Sequence, residues 1–112
     1  MKIYHNPRCT KSRETLAILT EKGHKPQIVE YLQHVPNKKE ITDILKLLGI
    51  PAEKLIRKGE EVYKEKFKGK SLSEDEWIQA MVENPKLIER PIVVNGSKAV
   101  IGRPPERVLE IL

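Results

Sequence analysis

The first 31 residues alternate between a strand pattern, a helix pattern and a second strand pattern, and this order constrains the fold more than any other feature. Lys2–His5 forms a short apolar segment that ends at Asn6-Pro7. The residue pattern predicts a helix over Lys11–Lys22, stopped by Gly23. A second strand is predicted over Gln27–Tyr31. Strand, helix and strand in so short a segment form a βαβ unit, which implies parallel strands and a right-handed crossover.

Helix patterns occupy the middle of the chain. Asn37 is predicted to cap one helix, with the Glu40 side chain reaching back to it. The apolar positions that follow have the spacing of an amphipathic helix, namely Ile41, Ile44, Leu45 and Leu48. Ser73 and Glu76 form a second predicted capping box. Trp77 lies on the apolar stripe of that second helix, and we expect it in the core.

The last part of the chain has the pattern of a hairpin followed by a helix. Ile92–Val94 and Lys98–Ile101 are the predicted strands, and Asn95-Gly96 between them is a type I′ turn signal. A closing helix is predicted over Glu106–Leu112. The order βαβ, helices, then ββα resembles the thioredoxin-like plan. We therefore predict an α/β fold, a single domain over residues 1–112 with a helical insertion at about 37–85 between the halves of the sheet.

Composition narrows the class of protein. A chain of 112 residues is long enough for one domain with its own core. No run approaches the about 18 apolar residues of a membrane span, and the N-terminal segment has no signal-peptide pattern. The chain has one cysteine, so no internal disulfide can form, and a reducing, cytoplasmic setting is expected.

The net charge of +5 suggests nucleic acid as one possible partner. Aromatic residues, however, make up only 4% of the chain, too few for base-stacking platforms. The lysines are also intermixed with glutamates. We therefore expect no nucleic acid and no membrane as partners, and a basic surface that attracts a small anion.

Cys9 lies between the first strand and the first helix, where backbone N–H groups and the helix dipole stabilise an anion. The thiolate is the nucleophilic form of cysteine. Lowering the pKa of a thiol by two requires about 2.7 kcal/mol, and a helix terminus contributes about 0.3–1 kcal/mol. Additional positive charge is needed, and Arg8, Lys11, Arg13 and His5 are close in sequence. Cys9 is therefore the candidate nucleophile.

Two arginines adjoin prolines at the ends of the predicted hairpin. Arg90 precedes Pro91 and the third strand, and Arg103 precedes Pro104 after the fourth. Pro91 fits the position of the cis-proline that lies beside the cysteine loop in thioredoxin-like folds, which would hold Arg90 next to Cys9. Arg57 is a third candidate. Guanidinium groups offer planar, bidentate hydrogen bonds to an oxyanion, whose charge must be neutralised before a thiolate attacks it.

Several separated motifs together resemble the glutaredoxin-coupled arsenate reductase family over almost the full length. They are His5-Asn6-Pro7, Cys9 with Ser12-Arg13 and Thr15-Leu16, Leu55-Ile56-Arg57-Lys58, Glu83-Asn84-Pro85, Arg90-Pro91-Ile92-Val93-Val94, and Arg103-Pro104 with Val108-Leu109. The resemblance implies that Cys9 attacks arsenate to give a thiol–arsenate adduct. Glutathione then adds, glutaredoxin removes the glutathione, and arsenite leaves.

The same resemblance implies roles for individual residues. Arg57, Arg90 and Arg103 would bind the oxyanion and its adducts, and His5 would help to lower the pKa of Cys9. The supporting residues are Ser12, Arg13 and Pro91. No metal and no tightly bound cofactor are expected; glutathione is a cosubstrate and glutaredoxin a protein partner.

Two alternatives belong to other classes of function. One is a non-enzymatic redox or transcription-regulating relative of the same fold, which binds a partner such as RNA polymerase. Such relatives carry a Cys-x-x-Cys switch, whereas Ser12 holds the second position here. The other is a thiol transferase similar to a monothiol glutaredoxin, because Cys9-Thr10-Lys11-Ser12 has that form.

Overall fold

The computed structural model describes all 112 residues. The chain forms two compact units, one made of Met1–His34 with Arg90–Leu112 and the other of Val35–Glu89. No helix has the length and apolar character needed to cross a membrane. The expectation of a single domain with an insertion at about 37–85 stays a prediction.

The first unit is built on a four-stranded mixed sheet in the order β2-β1-β3-β4. Its strands are β1 (Lys2–His5), β2 (Gln27–Glu30), β3 (Ile92–Asn95) and β4 (Lys98–Ile101). β1 pairs with β2 in parallel and with β3 antiparallel, and β3 pairs antiparallel with β4. This topology confirms the predicted α/β plan of a βαβ unit followed by a hairpin.

Helix α1 (Thr10–Glu21) connects the two parallel strands. Gly23 follows it with a φ of 84°, a left-handed conformation that suits glycine, as the sequence predicted. The core of this unit joins α1, the sheet and the C-terminal segment through six buried residues, which are Ile3, Leu19, Val93, Val100, Val108 and Ile111. That C-terminal segment, Pro105–Ile111, is a 3₁₀ helix that begins with proline.

The hairpin turn differs from the predicted one. Asn95 still pairs with Lys98, so the two central turn residues are Gly96 and Ser97. Gly96 has a φ of 62°, and no residue other than glycine has a positive φ. A type I′ turn requires positive φ at both central residues. The prediction of a type I′ turn was therefore wrong; a positive φ at the first central residue alone is the pattern of type II′.

The second unit consists of α2 (Lys38–Leu48), α3 (Glu61–Lys66), α4 (Glu74–Glu83) and two short 3₁₀ segments, Ala52–Leu55 and Pro85–Leu87. The backbone N–H of Glu40 donates to Asn37 at the start of α2. Ser73 and Glu76 form the predicted capping box of α4. Trp77 is buried, as predicted, with the rings of Tyr63 and Phe67 beside it.

Candidate active site

Cys9 is the N-cap residue of α1 and has extended backbone geometry. Its N–H donates to the carbonyl of Asn6 at 3.0 Å, and its own carbonyl accepts from the N–H of Arg13 at 3.0 Å. These two bonds fix the cysteine backbone between loop and helix. The thiol is free and partly exposed, so a small substrate in solvent can reach it.

Both predicted arginines of the hairpin contact Cys9. Arg103 donates from Nη2 to Cys9 Sγ at 3.5 Å. The Arg90 side chain is also hydrogen-bonded to the thiol. In addition, Arg103 Nε donates to the carbonyl oxygen of Arg90 at 2.7 Å, so one guanidinium ties the start of β3 to the sulfur.

Opposing effects act on the pKa of Cys9, and the net effect lowers it. Partial burial raises the pKa of the thiol because it disfavours the charged form. The backbone N–H of Ser12, the hydrogen bond from Arg90 and the positive charges of Arg90 and Arg103 lower this pKa and prevail. The helix start and the two arginines thus favour the thiolate together. The sequence pointed to Arg8, Lys11, Arg13 and His5 for the added charge, but it is Arg90 and Arg103 of the hairpin that supply it.

His5 and Ser12 form a buried pair beneath the cysteine loop. His5 Nδ1 lies 2.6 Å from Ser12 Oγ, and the same oxygen accepts from the N–H of Asn6 at 3.1 Å. Burial lowers the pKa of His5; Glu30 raises it and Arg13 lowers it further. His5 is therefore neutral near pH 7, and its direct contact is with Ser12. Through Ser12, whose N–H stabilises the thiolate, His5 supports the geometry of the loop.

Arg13 makes hydrogen bonds to the same loop on its exposed side. Its Nη1 donates to the carbonyl of Pro7 at 2.9 Å, and its Nη2 donates to Thr10 Oγ1 at 3.3 Å. The Asn6 side chain accepts from the N–H of Arg8 at 3.0 Å. These bonds hold the segment before Cys9 in one conformation.

Gly102 and Thr15 were not predicted as site residues, but they position the arginines. The peptide bonds Arg90–Pro91 and Arg103–Pro104 are both cis, the first as the resemblance implied. Gly102 N–H donates to the Pro91 carbonyl at 2.9 Å. A Cβ on Gly102 would lie 2.6 Å from Thr15 Oγ1 and 2.9 Å from Pro91 Cγ. The sequence signals were a glycine directly before Arg103 and the presence of Thr15 in one of the family motifs, and neither indicated that the two residues meet.

Arg57 belongs to the second unit, where it is bound by carboxylates. Its Nη1 lies 3.0 Å from Glu89 Oε1, and its Nε lies 3.5 Å from Glu60 Oε1. Its backbone N–H donates to the Leu87 carbonyl at 2.7 Å. The Arg57 side chain is partly buried and fixed by these contacts.

The first unit alone therefore combines a nucleophile with two fixed cations. Cys9, Ser12, Arg90 and Arg103 come from β1's C-terminal loop, the first turn of α1 and the two ends of the hairpin. A partly exposed thiolate can attack an electrophilic centre, and guanidinium groups can bind the oxygens of an oxyanion around that centre. The arrangement suits nucleophilic attack on an anionic substrate.

Residues 4–111 match the ArsC family. The chain is 52% identical to an arsenate reductase of Haemophilus influenzae, with 98% of this chain and 97% of the relative covered. It is 56% identical to the uncharacterized protein YfgD of Escherichia coli, with 100% of this chain and 96% of the relative covered. The chain belongs to the ArsC family.

A solved structure gives the same result for the fold. The arsenate reductase from Vibrio cholerae superimposes with a TM-score of 0.96 at 51% identity, with 99% of this chain and 96% of that chain covered. The predicted thioredoxin-like fold and the predicted membership of the arsenate reductase family, ArsC, are thus confirmed.

Proposed function

We propose that this protein reduces arsenate to arsenite, with Cys9 as the nucleophile. The observation that carries the proposal is the hydrogen bonding of one thiol to two arginines, Arg90 and Arg103, in a chain of the ArsC family. Relatives at 52% and 39% identity carry the name arsenate reductase. A single reactive thiol without a disulfide partner suits the reducing cytoplasm.

The first step forms a bond between sulfur and arsenic. Arg90 and Arg103 bind arsenate oxygens and neutralise their charge, and Arg57 is proposed to assist them. The Cys9 thiolate then attacks arsenic, and one arsenate oxygen leaves as water after protonation. Arsenic is still in the +5 state in this adduct. The guanidinium groups that stabilise the thiolate are thus also the groups that bind the substrate.

The second step needs two electrons from a second thiol, and the chain has no other cysteine. An external thiolate, proposed to be glutathione, attacks the Cys9 sulfur. A sulfur–sulfur bond forms, and the electron pair of the sulfur–arsenic bond passes to arsenic, which leaves as arsenite. A glutaredoxin thiolate then attacks the glutathione sulfur of the mixed disulfide, takes up the glutathione as its own mixed disulfide and releases the Cys9 thiolate. Two thiols are oxidised to one disulfide, and arsenic is reduced from +5 to +3.

Arsenite production with purified components tests this route. We expect steady turnover with arsenate, glutathione and glutaredoxin, none with Cys9→Ser, and a glutathione adduct on Cys9 by mass spectrometry when glutaredoxin is omitted. Steady turnover with thioredoxin and its reductase, without a small thiol, would exclude glutathione as the donor. If the protein instead catalyses thiol–disulfide exchange and forms no arsenite, the thiol-transferase alternative is favoured.

A further inference from the structure

A cavity of about 200 Å³ lies in the first unit on the β2 side of the cysteine loop. Its walls are the loop Asn6–Arg8, the strand ends His5 and Glu30, and the turn residues Leu32 and Gln33. Neither Arg90 nor Arg103 lines it. We call it the β1–β2 cavity. It is separate from the arginine cluster, yet one of its walls runs directly into Cys9.

Opposite charges line the β1–β2 cavity. His5 and Glu30 are register partners on adjacent parallel strands, so their side chains share one face of the sheet. Glu30 raises the pKa of His5, but burial prevails and keeps His5 neutral near pH 7. The Glu30 side chain, which lines the cavity, provides a carboxylate there. Arg8 supplies a cation at the exposed loop, Gln33 an amide and Leu32 an apolar wall.

This lining matches a zwitterion with a short aliphatic stem. An ammonium group can donate to Glu30 and a carboxylate can accept from Arg8, while methylenes contact Leu32. A volume of 200 Å³ is below the about 300–1,000 Å³ of pockets for drug-sized ligands. The cavity therefore suits one amino-acid moiety of a larger molecule rather than the whole molecule.

We propose that the β1–β2 cavity binds the γ-glutamyl end of the glutathione that supplies the second thiol. Glu30 binds its ammonium group and Arg8 its α-carboxylate, and the following cysteine residue extends along Pro7 and Arg8 toward Cys9. This inference rests on the proposed function and adds to it a separate binding site for the reducing thiol. The oxyanion, bound by Arg90 and Arg103, and the thiol, bound in the β1–β2 cavity, then reach the Cys9 sulfur from two separate binding sites.

Steady-state kinetics with matched thiols test the site. Glu30→Gln and Arg8→Gln are each expected to raise the KM for glutathione about five- to tenfold, with the KM for arsenate unchanged. γ-Glutamylcysteine should show the same increase, because it keeps the zwitterion. N-Acetylcysteine lacks the ammonium group, so Glu30→Gln should not change its KM. Glu21→Gln, at the exposed end of α1, is the control for a general loss of charge.

A binding measurement separates this proposal from the proposed reaction. S-Methylglutathione cannot react, and we expect it to shift the backbone NMR resonances of Arg8 and Gln33 in the wild type and much less in Glu30→Gln. Binding here without arsenite formation would contradict the proposed function and retain the cavity. Turnover with glutathione, but unchanged KM values in both variants and no shifts at about 10 mM ligand, would overturn the cavity proposal alone.

Discussion

Arg103 Nη2 lies 3.5 Å from Cys9 Sγ, although 94 positions separate the two residues in the chain. The topology of the sheet explains this contact. β1 ends near the cysteine loop, β3 runs antiparallel to β1, and β4 runs antiparallel to β3. The start of β3 and the end of β4 therefore lie at the same edge of the sheet as the end of β1. Arg90 lies just before the start of β3 and Arg103 just after the end of β4.

The pH dependence of alkylation should show an activated thiol. Since the pKa of Cys9 is lowered, we expect the rate of reaction with iodoacetamide to have its midpoint below the ordinary value of about 8.5. Arg90→Ala and Arg103→Ala should each raise that midpoint, because each removes a positive charge at the sulfur. Arg107→Ala removes an exposed arginine paired with Glu110 and should leave it unchanged. A wild-type midpoint at or above about 8.5 would contradict the prediction.

The lowered pKa of Cys9 also has a consequence for stability. A thiol whose folded-state pKa lies below its unfolded value stabilises the fold fully above the unfolded pKa, and this contribution is lost as pH falls through the folded pKa. Wild type should therefore gain stability relative to Cys9→Ser between low pH and about pH 9. Unfolding by urea at several pH values measures the difference, and a constant difference would refute this linkage.

The two hairpin arginines should matter for substrate far more than for folding. A hydrogen bond to a charged group contributes about 1.5–3 kcal/mol, so we expect Arg90→Ala or Arg103→Ala to lower kcat/KM for arsenate about 10–150-fold. Arg90→Lys and Arg103→Lys should recover only part of this, since an ammonium group lacks the planar fork. Arg57→Ala is expected to lose activity in the same range. Wild-type kinetics in all three alanine variants would reject the anion site.

The order of strands and helices could be predicted from the sequence because local patterns determine it. The capping box of Ser73 and Glu76, the stop at Gly23 and the burial of Trp77 each depend on residues within a few positions. The grouping of Arg90 and Arg103 with Cys9 followed from the strand order, combined with the resemblance to a family.

The remaining features depend on contacts that no local pattern encodes. The hairpin turn is at Gly96 and Ser97 because the pairing of Asn95 with Lys98 extends the ladder by one residue. Gly102 is needed because Thr15, 87 positions away, approaches its backbone. The direct contact of His5 with Ser12 could not be predicted either, because the sequence indicated only that both residues lie near Cys9.

Ser12→Ala should destabilise the fold and weaken the loop. The Ser12 hydroxyl is buried and contacts both His5 Nδ1 and the N–H of Asn6, so its removal leaves two polar groups without this partner. We expect a loss of about 1–3 kcal/mol in the free energy of unfolding. Ser71→Ala, at an exposed position outside any helix or strand, is the matched control. Equal unfolding midpoints for the two variants would show that the buried pair contributes nothing.

The pKa of His5 predicts weaker folding in acid. Burial lowers this pKa in the folded state, so the unfolded chain binds the proton more readily. The contribution of His5 to the free energy of unfolding is therefore complete above its unfolded pKa of about 6.5. It is lost as the pH falls through the folded-state pKa of His5. His5→Asn should therefore lose less stability than wild type between about pH 6.5 and lower pH. If both proteins lost the same amount of stability, groups other than His5 would be the cause of the acid sensitivity.

Gly102→Ala should damage the site through packing rather than through charge. The added Cβ would lie 2.6 Å from Thr15 Oγ1 and 2.9 Å from Pro91 Cγ, closer than real Cβ contacts allow. Relief of this overlap must move either α1 or the start of β3, and we expect a cost of about 1–3 kcal/mol in stability. Since Arg103 follows directly and donates to both Arg90 and Cys9, activity should fall as well. Gly59→Ala is the control, because a Cβ there meets no atom within 4 Å and the glycine has no positive φ.

If the overlap is the cause, Thr15→Ala should be less harmful in the Gly102→Ala background than in wild type, and a double-mutant cycle measures that coupling. Additive effects of the two substitutions would mean that Thr15 does not carry the constraint on Gly102.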